Sequence, residues 1–166
     1  IVTGSSRGIG KAIVDRYLDE GWNVFGASTT DISTWNDRSE YTHTILDLIE
    51  YKEAIDYWVH SLEKLEKFPQ VLINNAAVFI ESPISSSDES WLENWNKTLS
   101  INLTASSYLA KKVIKIWSES QVEGILINIS SRAGQRGDTE EFAAYAASKA
   151  GMMAFVKSIA RNYGKL

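Results

Sequence analysis

The chain has 166 residues, 17 basic against 21 acidic side chains, a net charge of −4 and no cysteine. A chain this long forms one domain that buries roughly 68–70% of its unfolded surface, so its core needs no staples. The missing cysteines exclude disulfides, thiolate zinc sites and cysteine nucleophiles. The mild acidity argues against nucleic acid as a partner. No apolar run approaches the ~20 residues of a membrane helix, and no leader is visible, although the chain begins at Ile1 rather than methionine. Hydrophobic residues make up 44% and charged residues 23%, a globular balance, and six tryptophans read as core packing.

Strand and helix signals alternate along the chain. Ile1 to Thr3 reads as the tail of a buried strand. Ile9, Ala12, Ile13 and Tyr17 share one face of a helix over 8–20, stopped by Gly21. Asn23 to Ala27 is a second strand and residues 43–48 a third, with Ile45, Leu46 and Leu48 apolar. The segment between them, 29–42, is polar and short for a full helix. An amphipathic helix spans 50–66 and ends before Pro69. Val71 to Asn75 is a fourth strand. Ser85, Ser86 and Ser87 lead into Asp88 as a cap for a long helix over 88–118. Gly124 to Ser130 is a fifth strand, and the last helix covers 142–163. Apolar strands separated by helices predict an α/β, doubly wound parallel sheet with its site at the carboxyl ends of the strands.

The first strand runs into Thr3-Gly4-Ser5-Ser6-Arg7-Gly8-Ile9-Gly10, a GxxxGxG turn that opens a helix. Such a turn lets backbone amides approach a pyrophosphate at the positive end of the helix. Two other motifs overlap it. Gly4-Ser5-Ser6-Arg7-Gly8 matches the nucleophile elbow of hydrolases, with Ser6 as nucleophile. The required histidine would follow it at a distance, but His43 and His60 come too early. Gly10-Lys11 echoes a P-loop, yet Ser5 and Ala12 break the pattern at two positions.

A second constellation lies late in the chain. The fifth strand ends in Ser130-Ser131, and the next helix carries Tyr145-Ala146-Ala147-Ser148-Lys149. Tyr145 and Lys149 are four apart, so they share a helical face. A neighbouring ammonium favours the phenolate and fits the tyrosine for proton transfer. Ser131 at the strand end can hold the same reacting oxygen. A proton donor, its charged neighbour and a hydroxyl beside a dinucleotide turn point to hydride transfer at a carbonyl.

In order, Thr3 to Gly10, Asp47, Asn74-Asn75-Ala76-Ala77, Asn102, Ser131, Tyr145 and Lys149 resemble the short-chain dehydrogenases/reductases over essentially the whole chain. The turn is most similar to that of 3-oxoacyl-(acyl-carrier-protein) reductase types. The resemblance implies a Rossmann-type sheet and a ketone or secondary alcohol as substrate. It implies Tyr145 as acid/base, Lys149 as its tuner and ribose ligand, and Ser131 as the carbonyl clamp. Asn102 would hold a water in a proton relay behind Lys149. Gly4, Ser6, Arg7, Ile9 and Gly10 would hold the cofactor, with Asp47 and Leu48 at the adenine and Asn74 and Ala76 at the ribose. The neutral end of the second strand, Ala27-Ser28-Thr29-Thr30, leaves Asp31 late. With Arg7 and Thr29 available to a 2′-phosphate, NADP is favoured over NAD.

Two features depart from the pattern. Ala77 stands where the family has glycine, and the Ser131–Tyr145 spacing is about one residue longer, across a charged, flexible-looking loop from Arg132 to Glu141. The single domain, 1–166, therefore reads as cut inside its first strand and lacking the substrate lid. A non-catalytic cofactor-binding or oligomerising member of the fold is the alternative reading. The resemblance further implies a cytoplasmic homodimer or homotetramer, with Ala144, Ala147 and Gly151 permitting close helix approach. No metal is expected, because His43 and His60 lack partners at ligand spacing.

Overall fold

A computed structural model describes residues 1–64 and 68–164. The elements are β1 (Val2–Thr3), α1 (Gly8–Asp19), β2 (Val24–Ser28), β3 (Tyr41–Ile45), α2 (Tyr51–Glu63) and β4 (Val71–Asn74). They continue with α3 (Asp88–Leu99), a π-helical turn (Ser100–Ala105), α4 (Ser106–Ser120), β5 (Ile125–Asn128), α5 (Ala133–Arg136), a 3₁₀ turn (Glu140–Phe142) and α6 (Ala143–Tyr163). The five strands are ordered β3-β2-β1-β4-β5 and pair in parallel. The chain winds outward from β1 to β3, then crosses back to β4 and β5. The carboxyl ends of β1 and β4 part there and open a crevice.

Each face of the sheet carries its own core. One packs Leu72, Ile55, Trp58, Leu109 and Val113 between the strands and α2 and α4. The other packs Val2, Ile73, Val14, Leu18 and Trp35 under α1. On that second face Ile125 and Ile127 of the edge strand β5 are exposed at 59% and 36%. The segment before β3 holds no helix; Trp35 anchors it instead. Its Nε1 donates to Asp15 Oδ1 at 2.8 Å, and Lys11 lies 5.3 Å from its ring centroid.

Several expectations shift. The third strand is 41–45, not 43–48. It pairs only as far as Ser28 of β2, and Leu46 and Leu48 enter the core from the loop beyond. The end of the predicted 50–66 helix, at 65–66, lies outside the described residues. The long helix 88–118 is interrupted by the π turn. Trp35, Trp58 and Trp117 are buried, but Trp22 is 40% exposed, and Trp91 and Trp95 stack on each other half-buried on α3. Ala144 is fully buried, and a Cβ on Gly151 would lie 2.7 Å from Leu103, so these residues serve packing within the chain. Of the three small residues, Ala147 is exposed.

Candidate active site

The crevice is a cleft of about 430 Å³ lined by Gly4, Ser6, Arg7, Gly8, Ile9, Thr29, Asp47, Leu48, Asn75, Ala76, Ala77 and Val78, among others. Its floor is tight. Gly4 has φ +66, and a Cβ there would lie 2.9 Å from Ala76 Cα. A Cβ on Gly10 would fall onto the Gly4 carbonyl oxygen. Gly10 thus shapes the turn from beneath rather than lining the cleft. Helix α1 starts at Gly8 with no acidic residue in its first turn, so its positive end faces the cleft uncompensated. This donor set fits an anionic dinucleotide.

Asn75 ties the two sides of the crevice together. Its Nδ2 donates to the carbonyls of Thr3 at 2.9 Å and Gly4 at 3.2 Å. The backbone amides of Asn75 and Ala76 both donate to Thr3 Oγ1 at 3.0 Å. Asn74, expected at the ribose, does not reach the cleft. It is 1% exposed and donates to Ser106 O at 3.1 Å and Asn128 Oδ1 at 3.0 Å, joining β4, β5 and α4. Adjacent strand residues face opposite sides, so one of the two asparagines must turn inward. Asp47 lines the cleft, but its Oδ1 accepts the Ile49 amide at 2.9 Å in its own loop. Ala77 is exposed at the cleft, and Gln121 is the one positive-φ non-glycine residue among the described residues. The extra methyl of Ala77 therefore carries no backbone strain.

A polar chain supports the far end of the cleft, and nothing in the sequence marked it. His43 Nε2 lies 3.1 Å from the Thr30 carbonyl, which can only accept, so this nitrogen carries the proton. Nδ1 then accepts from the Tyr41 hydroxyl at 3.0 Å, and the Tyr41 oxygen accepts from Ser5 Oγ at 3.1 Å. Ser28 Oγ adds a bond to the same Thr30 carbonyl at 2.8 Å. The backbone beside Thr29 is held directly by Ser28 and His43, and His43 is held in turn through Tyr41 and Ser5. Asp31 lies outside the cleft lining and accepts the Ile32 amide at 2.9 Å.

The tyrosine and lysine on α6 and the serines after β5 lie outside the cleft lining; Tyr145 meets Phe79, which follows the cleft residue Val78. Lys149 is 2% exposed and donates from Nζ to the Ile129 carbonyl at 2.7 Å. Its Nζ lies 5.6 Å from the Tyr145 ring centroid, as the i, i+4 spacing requires. Burial lowers the Lys149 pKa from 10.5 to about 8. Ser130 spends its hydroxyl proton on the Lys149 carbonyl at 3.1 Å. Ser131 Oγ accepts the Ala133 amide at 3.1 Å, which leaves its own proton free to donate. That difference separates the two serines chemically.

Asn102 sits in the π turn, fully buried. Its Oδ1 accepts the Val78 amide at 2.8 Å, and its Nδ2 donates to the Val78 carbonyl at 3.0 Å and Ser148 Oγ at 3.1 Å. Ser106 Oγ donates back to the Asn102 carbonyl at 2.8 Å, helping to hold the widened turn. The amide thus clamps the cleft wall to α6. The 132–141 loop is ordered rather than loose: Ser82 N donates to Glu141 O at 2.7 Å, and Ile84 N donates to Glu140 Oε2 at 2.9 Å. Among the described residues no cluster of three metal-ligating side chains occurs, and no helix is long and apolar enough to cross a membrane.

A doubly wound sheet with a glycine turn at the switch point, and a Tyr145–Lys149 pair on the last helix, defines a dinucleotide-binding fold of the dehydrogenase kind. The sequence profile of the short chain dehydrogenases matches residues 1–166, and the chain belongs to that family. It is 31% identical over 165 residues to the 3-oxoacyl-[acyl-carrier-protein] reductase FabG of Vibrio cholerae, covering 98% of this chain and 66% of that protein. It is 34% identical over 164 residues to the short-chain dehydrogenase/reductase cdmF of Talaromyces verruculosus, covering 98% of this chain and 62% of the relative. The chain thus spans slightly less than two thirds of the length of these relatives. Among solved structures, 4-hydroxyisoleucine dehydrogenase complexed with NADH and succinate is 29% identical with a TM-score of 0.86, covering 99% of this chain and 72% of that one. A short chain dehydrogenase from Leptospira borgpetersenii with bound NAD+ is 27% identical with a TM-score of 0.86, covering 96% and 63%.

Proposed function

We propose that the chain is the dinucleotide-binding and catalytic part of an NADP-dependent oxidoreductase that interconverts a ketone and a secondary alcohol. The observation that carries this reading is the buried Lys149 ammonium 5.6 Å from the Tyr145 ring, which meets Phe79, the residue after Val78 of the glycine-turn cleft. A nicotinamide cofactor held in the cleft supplies or receives the hydride. Gly4, Ser6, Arg7 and Ile9 with the α1 amide end would hold its phosphates, and Thr29, Asp47, Leu48 and Ala76 its sugars and adenine. In reduction, the Ser131 hydroxyl donates to the carbonyl oxygen and Tyr145 protonates it. The charge on Lys149 then stabilises the phenolate left behind. At pH 7 the amine is below its pKa of about 8 and still carries that charge. In oxidation Tyr145 takes the hydroxyl proton back.

The preference for NADP rests on the neutral end of the second strand, Ala27 to Thr30. Arg7 and Thr29 line the cleft, and Asp31 does not. An arginine fork suits a 2′-phosphate. Titrating the full chain with NADPH and NADH tests this: NADPH binds tighter, and Arg7→Ala narrows the gap. Tighter NADH binding to the unaltered chain overturns it. NAD is the second reading, favoured by the similar structures that hold NADH or NAD+. The proposal includes a cytoplasmic homodimer or homotetramer, for which the concave α4–α6 surface lined by Leu103, Tyr108, Ile114, Phe155 and Ile159 is available. Sedimentation of the full chain measures the oligomeric state.

A further inference from the structure

We infer that the substrate carries an apolar, planar group, aromatic or unsaturated, next to its carbonyl, and that Phe79 and Phe142 receive it. This rests on the oxidoreductase reading and names the substrate class of the same site. Phe79 is 55% exposed although it is a large apolar ring. It stacks on Phe142 with centroids 3.8 Å apart and planes within 12°, and it meets the Tyr145 ring edge-on at 4.7 Å and 89°. The same ring therefore fixes the phenol plane and offers an open apolar flank beside the proton donor.

The wall is built in advance. Phe79 lies on the loop after β4 and Phe142 on the turn before α6. Those segments are joined through the buried Ser82, whose amide donates to Glu141 O at 2.7 Å, and through Ile84 N to Glu140 Oε2 at 2.9 Å. Asn94 Nδ2 adds a bond to Glu81 O at 2.9 Å. The neighbouring Val78 lines the cofactor cleft and is clamped at both backbone groups by Asn102. The aromatic wall thus begins where the cofactor cleft ends. A substituent reaching it from the reacting carbon meets the apolar flank of Phe79, which offers a hydroxylated or charged substituent no hydrogen bond. An ordered wall spends little binding energy on closure.

The test uses the full chain with NADPH and three ketones: an aryl alkyl ketone, a short aliphatic ketone and a dihydroxylated ketone. The unaltered protein turns over the aryl ketone with the highest kcat/KM. Phe79→Ala lowers the aryl-to-dihydroxylated ratio of kcat/KM by about tenfold or more, on top of any common loss that freeing the Tyr145 ring brings to all three ketones. NADPH affinity stays the same, which reports an intact fold, and Phe79→Leu gives a smaller loss if the alanine variant folds poorly. Preference for the dihydroxylated ketone, or an equal loss on all three, overturns the inference. Calorimetric binding of an unreactive aryl amide separates the two claims. If no ketone is reduced yet amide binding weakens in Phe79→Ala, the oxidoreductase reading fails and the apolar wall stands. If ketones are reduced and the amide binds both variants alike, the wall is wrong and the reading survives.

Discussion

Replacing Lys149 by methionine should stabilise the protein at neutral pH while removing its activity. The amine is 2% exposed, and burial alone lowers its pKa from 10.5 to about 8. A lowered lysine pKa means that the folded state resists the charged form. The cost is fully present below pH 8, shrinks as the folded amine deprotonates, and is gone above about 10.5. The gap between 10.5 and about 8 corresponds to about 3 kcal/mol at 1.36 kcal/mol per pH unit. Methionine also removes the bond from Nζ to the Ile129 carbonyl at 2.7 Å, worth about 1 kcal/mol. The net gain at pH 7 is about 2 kcal/mol, or ~4–8 °C in Tm for a chain of this size. Denaturant unfolding of both proteins at pH 7, 8, 9 and 10 measures it. The advantage should narrow as pH rises through 8. A variant less stable at pH 7, or a pH-independent difference, refutes the claim that Lys149 is held charged at a cost to folding.

Two more expectations follow from the packing. Asn102→Ala removes the side chain that holds both Val78 backbone groups and the Ser148 hydroxyl and should cost about 2 kcal/mol, read as a fall of ~4–8 °C in Tm. A loss under about 1 kcal/mol would contradict the clamp. Gly10→Ala drives a Cβ into the Gly4 backbone carbonyl, so the turn must open. Fluorescence titration should show cofactor affinity down by about tenfold or more, with stability down by about 1–3 kcal/mol; unchanged affinity would mean that this turn does not hold the cofactor.

The strand–helix alternation was legible because every described strand but β3 is a short apolar run, and the glycine turn and the Tyr145–Lys149 spacing are local patterns. What stayed hidden depends on contacts between distant residues. Tyr41, His43 and Ser5 join only when β3 pairs with β2 and β2 with β1, so His43 read as a residue without a role. The choice between Asn74 and Asn75 turns on which one faces inward at the end of β4, and the twofold strand period does not say which. The loop from Arg132 to Glu141 read as flexible because its charges are visible and its fasteners, 56 and 59 residues away at Ile84 and Ser82, are not. The π turn that buries Asn102 is held by Ser106 and by Val78 and Ser148 across the fold. Helical periodicity alone could not place it, and for the same reason Leu103 and Gly151 meet each other within the chain.

The most direct test of the proposed chemistry is Tyr145→Phe in the full chain, which removes one hydroxyl and keeps the ring against Phe79. NADPH oxidation would be followed with an aryl ketone, and NADPH binding measured in parallel. The account predicts turnover lower by at least about a hundredfold with cofactor affinity nearly unchanged. Turnover within a few-fold of the unaltered protein would show that Tyr145 is not the proton donor.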